Sequence, residues 1–113
     1  MRTVTLGIAT RDRLNKRYLE AFKGKSQGSF ISFESPAVLF KVVSGQRWEL
    51  IKMMSGAGAM SIREASRRLE RDIKAVHGDV TALLSAGILQ KTEDNRIVFP
   101  FDAIHVDFLL KAA

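Results

Sequence analysis

The residues that first invite chemistry are two histidine–acid pairs, His77-x-Asp79 and His105-x-Asp107, and the run Glu70-Arg71-Asp72. A histidine near a carboxylate can hold a metal ion or pass a proton, so each pair is a candidate metal or nuclease element. His77 and Asp79 fall in a segment with helical spacing. Two positions apart on a helix, their side chains point about 200° apart and cannot share one ion. His105 and Asp107 lie in an alternating run, where i and i+2 share a face, and are expected to be a surface pair or interface contacts. They are the chain's only two histidines, no acidic cluster accompanies them, and there is no cysteine. Disulfides, thiolate nucleophiles and cysteine-ligated zinc are thereby excluded. Glu70-Arg71-Asp72 suits a turn and a helix cap better than acid–base work. The glycines of "GAGA" at 56–59 do not follow a strand, so a phosphate-binding loop is not expected. No enzyme, metal or cofactor is expected.

What remains is a surface that could bind. The stretch "AVHGDVTALLSAGILQKTEDNRIVF" begins at Ala75. Ile73, Val76, Val80, Leu83 and Leu84 form an apolar stripe at helical spacing, with Asp72 as the cap. The opposite face carries Lys74, Ala75, His77, Gly78, Thr81 and Ser85, which are small or polar. A DNA major groove about 12 Å wide accepts a helix, and small residues let its backbone come close. Gly78 lowers helix stability by about 1 kcal/mol relative to alanine, which makes sense if something must approach there. Ala86-Gly87 ends the helix. "ILQKTED" and "RIVFPF" then form a hairpin around Asp94-Asn95, with Lys91 and Arg96 on it.

Other elements must position this face. "TVTLGI" at 3–8 alternates Val4, Leu6 and Ile8 as a half-buried strand. Thr10 is the candidate cap of an amphipathic helix over "RDRLNKRYLEAFKGK", with Leu14, Tyr18, Leu19 and Phe22 on one face and Gly24 at its end. "SFISFES" is a strand. Ser35-Pro36 opens a helix running roughly to Val43, and "QRWELIKMMSG" forms the next, with Trp48, Leu50, Ile51 and Met54 expected in the core. "SIRE" at 61–64 is a capping box, in which Ser61 receives the Glu64 amide and the Glu64 carboxylate reaches back. Its helix turns Ile62, Ala65 and Leu69 inward. "AIHVDFLLKAA" alternates Ile104, Val106, Phe108 and Leu110 as a final strand, with a C-terminal helix as the alternative.

The chain has 113 residues, enough for one domain with a core, since 46% are hydrophobic. Lys and Arg total 18 against 12 Asp and Glu, a net charge of +6 that favours a polyanionic partner. Residues 1–25 hold seven of the basic residues and two of the acids. No apolar run approaches the roughly 20 residues that cross a bilayer, and the N-terminus is too short in its apolar part for a secretory signal. A soluble, cytoplasmic protein is expected.

Three helices followed by a two-stranded hairpin, over residues 46–101, is the order of a winged helix-turn-helix. Here the segment "SIREASRRLERDIKAVHGDVTALLSAGILQKTEDNRIVFPFDAIHVDF" resembles a family of bacterial and archaeal winged-helix transcriptional regulators similar to MarR-type proteins. "GSFISFESPAVLFKVVSGQRWELIKMM" resembles that family's first half. Members are often encoded beside a small toxin, in the manner of TumA-type antitoxins. The resemblance implies a DNA-binding repressor or antitoxin that regulates its own promoter. Many such antitoxins carry a long toxin-binding tail, which this sequence lacks. Contact with a cognate toxin is therefore expected on the N-terminal region, around Arg11 to Lys25.

The expected architecture is α+β: an N-terminal strand–helix–strand extension over residues 1–34 and a winged helix-turn-helix with a C-terminal strand over 35–113. Double-stranded DNA is the expected partner. Lys74, Ala75, His77, Gly78 and Thr81 would face the bases. Ser61, Arg63, Arg71, Lys91, Asn95 and Arg96 would hold the backbone and wing, with Arg67 and Arg68 near the same phosphates. Arg11, Arg13, Lys16 and Arg17 are either a solvated face or a contact for flanking phosphates or an acidic partner. The apolar strands exceed what one small domain can cover, so a homodimer is expected through Ile31, Phe33, Ile104, Val106 and Phe108. The alternative is a protein-interaction module that binds an acidic protein on the same scaffold.

Overall fold

The computed structural model of the chain describes residues 2–8 and 29–109. The helix expected over 11–25 and its proposed toxin contacts lie outside the described residues, as does Leu110. The described part is mixed α and β, with four helices and two small sheets. In order these are β1 (Thr3–Ile8), β2 (Ser29–Phe33), α1 (Pro36–Val42), α2 (Gly45–Met54), α3 (Ile62–Leu69), α4 (Ile73–Ser85), β3 (Gln90–Lys91), β4 (Ile97–Val98) and β5 (Ala103–Asp107). No helix among the described residues is long and apolar enough to cross a membrane.

The first sheet runs β2-β1-β5, and both pairings are parallel. β1 is its centre, which is why Val4 and Leu6 are fully buried. In register, Val4 opposes Ile104, and Leu6 opposes Ile31 on one side and Val106 on the other. Val4, Leu6, Ile31 and Ile104 pack on the face that meets the helices, and Val106, toward the end of β5, stays partly exposed. The C-terminal strand was grouped with residues 35–113 by sequence. It bonds to β1 of the N-terminal extension, so the sheet links segments far apart in the chain. Arg2 reinforces the junction. Its amide donates to Asp102 at 2.6 Å, its guanidinium donates to the Pro100 carbonyl at 3.0 Å, and it lies over the Phe101 ring at 5.4 Å. The pairing with β1 also decides for a strand, against a C-terminal helix, over Ala103–Asp107.

The helices start where the sequence places their caps. Ser35 accepts from the Val38 amide ahead of Pro36, Ser61 from the Glu64 amide, and Asp72 from the Lys74 amide. The capping box at Ser61 forms only by half. The Glu64 carboxylate turns along its own helix to Arg67 and Arg68 instead of back to the Ser61 amide. Two guanidinium groups at i+3 and i+4 outcompete one neutral N–H for an ionised acceptor.

Leu50, Ile51 and Met54 of α2, Ala65 of α3, and Val76, Val80 and Leu83 of α4 build the core between the helices. Ile88, Leu89, Ile97 and Phe99 carry it under the hairpin. A single-residue bridge joins that hairpin, because Met60 and Ile97 exchange two backbone bonds of 2.9 and 2.8 Å just before α3. The wing is thereby fastened to the start of α3. Two residues expected inward are not. Trp48 is 41% exposed and Ile73 is 43% exposed. Leu50, Ile51 and Met54 already fill the inner face of α2, which turns Trp48 to the edge. Ile73 is the first residue of α4 and precedes the turn on which the stripe closes over the core.

The α3–α4 turn is tight because Glu70 adopts the left-handed conformation, φ 53°. A side chain there costs about 1–2 kcal/mol, and glycine avoids most of that at some loss of unfolded-state entropy. Glu70→Gly should therefore stabilise the fold by about 0.5–1 kcal/mol, read as a higher urea midpoint with an unchanged slope.

Candidate functional site

α4 presents an exposed face along its length. Lys74, Ala75, His77, Gly78, Thr81 and Ser85 are all exposed on one face, while Val76, Val80 and Leu83 are fully buried on the other. Nothing lies within 4 Å of where a Cβ on Gly78 would stand. Its lack of a side chain therefore serves nothing inside the molecule. Thr81 donates its hydroxyl to the His77 carbonyl at 2.8 Å, so toward a ligand it offers only acceptor capacity. Exposed Ile73 joins Lys74 and His77 around a shallow depression at the start of this face.

An ion cluster sets the rotation of that helix. Asp79 Oδ1 receives Arg47 Nε at 3.0 Å, and Asp79 Oδ2 lies 2.9 Å from Arg71 Nη1. All three side chains are more than two-thirds buried, with relative exposures of 15% for Asp79, 26% for Arg47 and 20% for Arg71. Arg47 also donates to the carbonyls of Lys41 and Val42, at 3.2 and 3.3 Å, closing the end of α1. The Ser66 hydroxyl donates to the Arg71 carbonyl and fixes the turn. One carboxylate thus ties α4 to the first turn of α2 and to the α3–α4 turn. Arg71, expected against phosphate, is held inward by Asp79 and is not free for it. Arg47 was missed by sequence. The available signal was Asp79 itself, an acid flanking the apolar stripe, which needs a cation beside it when half covered.

The wing and α3 form a second polar region. Arg96, Arg68, Ser61 and Glu64 line a depression of about 250 Å³ at the start of α3. The hairpin tip is closed by Thr92, whose hydroxyl donates to Asp94 and accepts from the Arg96 amide at 3.0 Å. Asn95 takes the left-handed conformation, φ 65°, that asparagine tolerates. Arg96 Nε stands 3.4 Å from Asp94 in solvent, an exposed contact that is worth little. The Arg67 hydrogen bond, with Arg68 beside it, holds the Glu64 carboxyl below its ordinary value. The Thr92 hydroxyl, with Arg96 nearby, does the same to Asp94. Whatever these two contribute to stability is present above the ordinary carboxylate range and fades only as pH falls through the lowered values. Arg63 and Lys91 are exposed.

The residues expected at an interface between copies divide. Phe33 is buried in the core and Ile31 and Ile104 pack against it, because they share the helix-facing side of the sheet. Phe33 therefore cannot meet a partner as expected. Val106 is 39% exposed, and Phe108 packs edge-on against exposed Phe40 with ring centres 5.4 Å apart. His105 and Asp107 do share one strand face, and among the described residues no group of three or more metal-type ligands occurs.

The HVO_A0114 family model matches residues 42–106, more than half of the chain. The chain belongs to the HVO_A0114 family. The span shared with the family holds Arg47, Arg71 and Asp79, the whole of α4 and the hairpin, and omits β1 and β2. No curated protein and no solved structure matches the chain.

Removing the shared carboxylate should loosen α4. Asp79→Ala leaves two largely buried guanidinium groups without their counter-charge and should lower stability by about 1–3 kcal/mol. Arg47→Ala should lower it less, and a double-mutant cycle in urea should give a favourable coupling between the two positions.

Proposed function

We propose that the chain is a sequence-specific double-stranded DNA-binding protein built on a winged helix-turn-helix, acting as a homodimeric transcriptional repressor. In this reading α2, α3 and α4 are the three helices, α4 is the recognition helix, and β3–β4 is the wing. The observation that carries it is the outer face of α4, small, polar and open around Gly78, on a helix whose rotation is locked from behind. Lys74 and His77 offer donors to base edges, Thr81 offers acceptors, and Ile73 offers an apolar surface for a thymine methyl. Ser61, Arg63, Lys91, Asn95 and Arg96 lie on elements that would follow the backbone, and the net charge of +6 favours the approach. Exposed Val106 and half-buried Phe108 are the apolar residues on which a second copy would close, and two-fold symmetry matches palindromic sites.

An antitoxin role rests on the sequence resemblance alone. Rescue of cells from the product of an adjacent gene, with co-purification of the two proteins, tests it. A second reading, a protein-interaction module, is favoured by Phe40 and Leu109, which are 53% and 76% exposed.

The two kinds of DNA contact have different signatures. Lys74→Ala or His77→Ala should weaken binding to the protein's own upstream DNA by about 1–3 kcal/mol while sparing scrambled duplex. Arg96→Ala should weaken both alike and flatten the salt dependence by about one unit. Gly78→Ala should raise stability by about 1 kcal/mol yet reduce affinity, because the added methyl fills the space the backbone needs. Gly78→Glu should abolish binding in a folded protein. Fluorescence anisotropy at several salt concentrations, with circular dichroism, reads all four. A folded Gly78→Glu protein that binds as tightly as wild type sinks the recognition-helix assignment and moves the protein-interaction reading ahead. Phe108→Asp should shift the dimer toward monomer in light scattering.

A further inference from the structure

We infer that the cleft between α2 and β5 is a binding site for a small organic anion with an apolar body, of the monocarboxylate class. The cleft measures about 270 Å³ and is lined by Trp48, Ile51, Lys52, Ser55, Phe99 and Ile104. That is just below the roughly 300–1,000 Å³ typical of small-molecule sites, so the occupant is a single ring or a short chain. Its floor is apolar, and two aromatic side chains offer faces for a flat group.

The polar groups choose the sign of the ligand. Lys52 has no ion pair among the described residues, and neither does the Trp48 indole N–H have an acceptor there. Both are donors only. Ser55 already spends its proton on the Ile51 carbonyl at 3.0 Å. Among the described residues no carboxylate lines the cleft. A carboxylate head, which only accepts, is the complement of two lining residues that only donate. An ammonium head would face the Lys52 charge with no counter-ion. The occupant touches α2 on one side and β5 on the other, so it bridges the helices and the sheet.

Trp48 is the chain's only tryptophan, so its fluorescence reports on the cleft alone. Sodium benzoate and sodium octanoate are the ring and chain probes, with benzamide and acetate as controls lacking the charge or the apolar body. At least one of the two anions should change the fluorescence saturably at up to millimolar concentration and shift the methyl resonances of Ile51 and Ile104. Lys52→Ala should weaken that binding by about tenfold or more, and Lys52→Arg should retain it. Lys52 is exposed, so both variants keep the fold. The inference is overturned if neither anion gives a saturable change, if benzamide binds as tightly as benzoate, or if Lys52→Ala binds like wild type. None of these readouts involves DNA, so they stand apart from the proposed function.

Discussion

The orientation of α4 depends on one carboxylate. Asp79 sits between the guanidinium groups of Arg47 and Arg71, which belong to the start of α2 and to the turn before α4. An apolar stripe alone fixes a helix poorly in rotation, because neighbouring side chains can slide past one another. A charge that accepts a hydrogen bond from Arg47 and stands in an ion pair with Arg71, on two different elements, removes that freedom. With Asp79 anchored, Val76, Val80 and Leu83 must point inward. Lys74, His77, Gly78 and Thr81 must then point out. Arg47 extends the restraint to the end of α1 through its two carbonyl contacts.

The same anchoring decides which cations are free. Arg71 is consumed inside. Arg67 and Arg68 share Glu64, whose exposed ion pairs are worth little and can be exchanged for another anion. Arg96 is held loosely at the wing tip. The wing itself is not free to swing, because Met60 and Ile97 bond it to the segment that starts α3. A preformed helix face and a preformed wing pay little ordering entropy on binding. The proposed DNA contacts thus come from exposed side chains on restrained backbone.

Much of the architecture was legible in the sequence. Ser35-Pro36, Ser61 and Asp72 place three helix starts, and the alternation of Val4, Leu6 and Ile8 places β1, because caps and periodicity are local. What escaped was tertiary. Nothing local says that β5 bonds to β1 across the length of the chain, or that the sheet is parallel. Trp48 was assigned to the core from its size and spacing, but the inner face of α2 was already filled by three aliphatic neighbours. The outer face of α4 was legible because Val76, Val80 and Leu83 define its opposite. The Arg47–Asp79–Arg71 cluster was not, since Asp79 was weighed only against His77, its neighbour in sequence, and its partners lie 32 and 8 residues away.

The most direct test is a map of amide chemical-shift changes on adding a duplex that carries the protein's own upstream DNA. The outer face of α4, from Lys74 to Thr81, and the hairpin tip, from Thr92 to Arg96, should show the largest changes, with those on β5 small. The opposite pattern, with α4 unmoved and changes centred on Phe40, Val106 and Phe108, would contradict a DNA-reading α4.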